Sequence, residues 1–205
     1  GSSTVTCLVD AQVQPTPPSA QDACGNDIVP TVVVPSDIAC EGDMVWTFNY
    51  EDCGGNTDSW TYTYTINIPA FTIAEPNGSS TVTCLVDAQV QPTAPTVQDA
   101  CGNTLTPTVV TPTDVTCEGE MEWIFNFEDC AGNVLSWKYK YNVDAASLTV
   151  PADISVPVSC IGEITAPTGT SITDACGNTI VPTMTEGADP VCSGLKIYTF
   201  MYENC

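Results

Sequence analysis

The sequence predicts an all-β chain built from small tandem domains, and three observations carry that expectation. Its 16 prolines and 14 glycines break Thr- and Val-rich stretches into pieces too short for helices. Aromatic residues alternate with polar ones in two long segments of each copy. The whole pattern, including twelve cysteines, recurs every 75 to 77 residues.

Residues 1–16 (GSSTVTCLVDAQVQPT) return unchanged at 78–93. The cysteines keep step as Cys7, Cys24, Cys40 and Cys53, then Cys84, Cys101, Cys117 and Cys130, then Cys160, Cys176, Cys192 and Cys205. Each repeat therefore carries four. After the third cysteine, Trp46, Phe48 and Tyr50 fall on one face while Val45, Thr47 and Asn49 fall on the other, the period of a half-buried strand. A Gly-rich turn at residues 51–56 follows, and the pattern resumes with Trp60, Tyr62, Tyr64 and Ile66 inward. The second copy repeats this hairpin as Trp123, Phe125 and Phe127, then Trp137, Tyr139, Tyr141 and Val143, with Lys138 and Lys140 outward and matched to acids such as Glu122. The third has Tyr198, Phe200 and Tyr202.

Further strands are expected at 8–14 and at 28–34, the latter bounded by Pro30 and Pro35, and opening strands at 71–74 and 148–150. Boundaries then fall near Pro69 and Ala145, giving repeats at 1–69 (opening strand missing), 70–145 (complete) and 146–205 (truncated before its last strand). The residues read as an excerpt of a longer array. Five to seven short strands over about 75 residues suggest an immunoglobulin-like β-sandwich, and short linkers suggest that the tandem sandwiches form an extended rod. A core of that size is marginal without cross-links.

Twelve cysteines in register indicate a disulfide framework made in an oxidising compartment, hence an extracellular protein at the cell surface. If each intercysteine segment crosses the sandwich once, the first and third cysteines lie at one end and the second and fourth at the other. Two disulfides per domain follow: Cys7–Cys40 and Cys24–Cys53, Cys84–Cys117 and Cys101–Cys130, Cys160–Cys192 and Cys176–Cys205. A zinc site suits the sequence poorly, since it has no histidine and no CxxC.

The motifs DACGN (starting at Asp22, Asp99 and Asp174), EDCGGN or EDCAGN, and WxYxY resemble the hyalin-repeat family, most closely its HYR-like type with four cysteines. The resemblance covers essentially the whole chain and is nearest to the version in very long surface adhesins of Bacteroidetes, exported by the type IX system and used in gliding motility. It implies an immunoglobulin-like fold and a role in cell adhesion, with no catalytic residues to carry over. The third repeat departs from the pattern, with Tyr198 where Trp46 and Trp123 stand and Asn204 where Asp52 and Asp129 stand.

A formal charge of −22, from 25 acidic residues against three basic ones, repels phosphate backbones and anionic headgroups, so neither nucleic acid nor direct membrane insertion is expected. The lack of histidine removes the usual general base, so an enzyme is not expected. No cofactor is expected beyond calcium. The candidate ligands for that ion are Asp22, Glu51 and Asp52, gathered at one end of the first repeat, and Asp99, Glu128 and Asp129 in the second. No DxDxDG-like run is present, and solvated acidic loops are the simpler reading.

The leading functional expectation is mechanical, a disulfide-hardened stalk in cell adhesion or gliding motility. Its partners are neighbouring repeats of the same chain and, through regions outside this segment, an anchoring or motility complex. The alternatives are a multivalent module binding glycans, extracellular polysaccharide or solid surfaces, and an accessory module of a secreted enzyme.

Overall fold

The strict alternation of aromatic and polar residues becomes one long hairpin in each of the first two repeats. The structure, a computed structural model, describes residues 1–204. In the first repeat β1 (Ser2–Val5) leads into a helical turn, α1 (Leu8–Ala11). The short strands β2 (Ala20–Gln21), β3 (Asp27–Ile28) and β4 (Thr31–Val33) follow, then the ten-residue strands β5 (Gly42–Glu51) and β6 (Thr57–Ile66). The second repeat has the same order: β7 (Gly78–Val82), α2 (Leu85–Ala88), β8 (Val97–Gln98), β9 (Thr104–Leu105), β10 (Thr108–Val110), β11 (Gly119–Glu128) and β12 (Val134–Val143). The third holds a 3-10 turn (Ile161–Glu163), β13 (Ile172–Thr173), β14 (Thr179–Ile180), β15 (Thr183–Glu186) and β16 (Tyr198–Met201).

The main sheet of the first repeat runs β1-β6-β5-β4, and that of the second runs β10-β11-β12-β7. The hairpin strands pair antiparallel with Trp46 opposite Tyr62 and Phe48 opposite Trp60, so one face collects every large aromatic. The opening strand adds to the hairpin in parallel, Ser2 beside Thr63 and Gly78 beside Tyr139. Parallel addition needs a long crossover, and the segment between the opening strand and the hairpin supplies it. In the third repeat residues 154–158 form no strand, and Ile154 and Val156 stand 88% and 74% exposed. The 205 residues include no counterpart of β6 or β12 for them to pair with.

The inner face of the sheet makes the core. Trp46, Phe48 and Tyr50 pack with Ala20 and Ile28 of the β2-β3 ribbon, while Met44, Ile66 and Ile68 close over Ala11. The second sheet of the expected sandwich is thus a two-stranded ribbon helped by a helical turn and loops. All-β architecture is present, in several small sheets.

Three local expectations change. Residues 8–14 do not form a strand: Leu8–Ala11 turns once, with the Gln12 N–H donating to the Leu8 carbonyl, because a fully buried Ala11 must present its carbonyl to the Trp46 indole N–H at 3.0 Å. Ala88 and Trp123 repeat this at 3.1 Å. In the third repeat Tyr198 replaces the indole and only a 3-10 turn forms. Residues 28–34 split into β3 and β4, since Pro30 has no N–H to give a ladder. Residues 71–74 and 148–150 are irregular, and the opening strands are β1 and β7 instead. Phe71 still buries its ring.

The chain forms two compact units, and their limits cut through the second repeat. The first unit joins Gly1–Asn77 to Thr93–Val110 and Ile124–Trp137. The second joins Gly78–Pro92 and Thr111–Trp123 to the chain from Lys138 onward. Among the described residues no helix is long and apolar enough to cross a membrane.

Candidate functional site

The second cysteine of each repeat sits in a DACGN turn that its own first residue holds closed. Asp22 Oδ1 accepts the N–H groups of Cys24 and Asn26, both at 2.8 Å, while Oδ2 accepts from the Asn26 amide at 2.9 Å. Gly25 supplies the left-handed residue of the turn at φ +83°. Asp99 with Asn103 and Asp174 with Asn178 form the same clasp, within 0.1 Å at each bond. The fourth-cysteine turns use it too, through Asp52 with Asn56 and Asp129 with Asn133. An aspartate followed four residues later by asparagine is therefore a device that aims a cysteine.

These bonds favour the charged carboxylate. The Asn26 side chain, then its backbone, draw the Asp22 carboxyl below its usual range, and Asn56 and Asn178 do the same for Asp52 and Asp174. At Asp99 burial pushes upward, but the bonds from Asn103, Cys101 and Gly102 outweigh it and the net direction is down.

The cysteines so aimed bond across repeats. Cys7 pairs with Cys101, Cys40 with Cys130 and Cys84 with Cys176, each with Cα atoms 5.6 Å apart, and Cys117 is disulfide-bonded as well. The rule is consistent: the first cysteine joins the second of the next repeat, and the third joins the fourth. Cys24, Cys53, Cys160 and Cys192 are exposed thiols. The expected pairings Cys7–Cys40, Cys24–Cys53, Cys84–Cys117, Cys101–Cys130 and Cys160–Cys192 are therefore corrected. So is Cys176–Cys205, because Cys176 is bonded to Cys84, while Cys205 lies outside the described residues. Each sulfur makes one disulfide, and the first and third cysteines commit theirs to the following repeat. Two disulfides per domain become shared links between domains.

Packing follows the same seam. Ala131, in the fourth-cysteine turn of the second repeat, rests on the first repeat's cluster of Ala11, Met44, Ile66 and Ile68. Residues at the second-and-fourth-cysteine end are accordingly better covered in the second repeat than in the first. Asp129, Trp137 and Val97 are buried, whereas their equivalents Asp52, Trp60 and Ala20 are only half-buried. Trp137 also donates its indole N–H to the Pro76 carbonyl at 2.8 Å. In the first repeat the uncovered end is a shallow groove of about 460 Å³ lined by Pro18, Ala20, Tyr50 and Trp60, with Asp22 and Asp52 at its margin.

The calcium candidates take up other work. Asp22, Asp52, Asp99 and Asp129 engage their oxygens in the turn clasps, and Glu51 and Glu128 are exposed at the ends of β5 and β11. Among the described residues no three acids, cysteines or histidines gather in a way that could hold a metal. On the outer face Lys138 meets Glu122 at 2.8 Å and Lys140 meets Glu120 at 2.9 Å, exposed pairs of modest value.

A β-sheet repeated in tandem, with cysteines that staple each copy to the next, defines a class of disulfide-linked repeat modules. This chain belongs to the family described as "HYR-like domain with 4 cysteines", whose model matches residues 1–66, 72–143 and 148–205. No curated protein matches it. Among solved structures it is similar to a chain titled "PcdhgB3 EC1-4 in 50 mM HEPES", at 10% identity and a TM-score of 0.24, over 93% of this chain. The chain spans 57% of that structure's length.

Proposed function

We propose that this chain is a non-catalytic structural segment of a secreted cell-surface adhesin or filament, a stalk hardened by disulfides that staple each repeat to the next. The carrying observation is the pairing of Cys7 with Cys101, Cys40 with Cys130 and Cys84 with Cys176. A bond inside a repeat protects only that repeat, whereas a bond between repeats carries load past it. Disulfides of this kind form and persist outside the cell. The charge of −22 keeps neighbouring fibres apart at low salt. Without histidine, and with its clasp aspartates occupied, the chain has little to offer as an enzyme. In a gliding cell, such an array, exported by a type IX system, connects a motility complex to whatever its distal end grips.

The test is adhesion under flow, with beads carrying this chain passed over glass and polysaccharide-coated surfaces in calcium or chelator. A stalk gives no retention above that of bare beads in any condition. Retention that disappears on chelation or reduction makes the repeats themselves the adhesive and overturns the proposal.

A further inference from the structure

We infer that the face carrying Cys24 and Cys53 is a docking surface for the first-and-third-cysteine end of another four-cysteine repeat. Cys160 and Cys192 belong to an end of that complementary kind, so copies of this chain can join head to tail through two disulfides. This rests on the junction geometry and stands whether or not the array serves as a stalk.

The unpaired thiols are not scattered. They are the second and fourth cysteines of the first repeat and the first and third of the last, the two sets that bond to each other at the junctions within the chain. The Asp22 clasp holds the Cys24 turn with the same bonds that hold Cys101 and Cys176, both of which are in disulfides, so the unbonded turn already has the bonded shape. Beside it lies the groove of Pro18, Ala20, Tyr50 and Trp60. The equivalent surface of the second repeat packs against the first repeat through Ala131 and buries Asp129, Trp137 and Val97. An occupant with the same chemistry as the first repeat's far end is what this face fits.

Closure is a balanced oxidation. The Cys24 thiol and a Cys160 thiol of a second copy lose two protons and two electrons to form one S–S bond, and Cys53 with Cys192 likewise. The protons go to solvent, and the electrons reduce a disulfide oxidant such as oxidised glutathione to two thiols.

The purified chain is incubated with a mixture of oxidised and reduced glutathione, then resolved on a non-reducing gel and mapped by mass spectrometry. The expected result is a ladder of multimers that collapses on reduction, with Cys24–Cys160 and Cys53–Cys192 as the intermolecular cross-links. Two variants fix polarity, Cys24→Ser with Cys53→Ser and Cys160→Ser with Cys192→Ser. Both alter only exposed, unbonded thiols. Each alone stays monomeric, and an equal mixture stops at dimer. A chain that stays monomeric after oxidation, dimers from either variant alone, or a Cys24–Cys53 link within one chain would each overturn the inference. None of these outcomes changes what the beads do under flow, so the stalk stands or falls separately.

Discussion

Stretching the chain by its ends measures the disulfide pattern as a length. With Cys24, Cys53, Cys160 and Cys192 alkylated, the shortest covalent route from Gly1 to Asn204 runs to Cys7, across to Cys101, back to Cys84, across to Cys176 and on to the end. That route contains about 50 residues, so at about 3.4 Å each the fully unfolded, oxidised chain extends no further than about 170 Å. Had the bonds closed within repeats, the route would hold about 105 residues and reach about 360 Å, and the reduced chain reaches about 700 Å. Single-molecule force spectroscopy resolves these lengths. We expect the oxidised chain to stop near or below the shortest, and reductant to release about 500 Å more. A plateau near 360 Å would refute inter-repeat stapling and restore the pairings read from the sequence.

Trypsin offers a simpler check, since with three basic residues, all lysine, it cuts only after Lys138, Lys140 and Lys196. Cys84–Cys176 bridges the first two sites, so in denaturant the halves should stay in one band until reductant is added, and separation without reductant would contradict the bridge. Ala131→Asp sets a charge against the cluster of Ala11, Met44 and Ile66, and should cost about 1–3 kcal/mol in urea unfolding, whereas Gly54→Asp at the uncovered equivalent should change little. The clasp aspartates titrate lower in the folded chain than in the unfolded one, so their stabilisation is complete above their unfolded range and is lost as pH falls through the folded values. A melting temperature that drops below about pH 4, less steeply in Asp22→Asn, is expected, and a flat profile down to pH 2 would argue against the clasps.

The hairpin was legible because its signal is local. Trp46, Phe48 and Tyr50 need only a period of two to be placed on a buried face, and the structure buries all three. The run of residues 8–11 misled because its alternation is short enough for one helical turn to satisfy, and the deciding partner, the Trp46 indole, lies 35 residues away. Asp22, Asp52, Asp99 and Asp129 stood out as acids in turns, yet a carboxylate that binds a cation and one that accepts its own turn's N–H groups have the same composition. The asparagine four residues on was the missed signal.

The disulfides were hidden for a different reason, which bears on what the array is. A repeat of constant period places equivalent cysteines at equivalent ends, so bonding within a copy and bonding to the next copy consume the same residues in the same ratio. Loop entropy prefers the shorter closure in the unfolded chain. The folded chain decides otherwise, because Ala131 and the Asp99 and Asp129 turns meet the first repeat's open end and bring Cys101 and Cys130 against Cys7 and Cys40. Once each bond spans a junction, the loops closed by Cys7–Cys101 and Cys84–Cys176 overlap between Cys84 and Cys101. No single cut from Cys7 to Cys176 can then part the chain. A protein whose covalent continuity survives any one break over that span is suited to bearing tension in a place where proteases are present and repair is not.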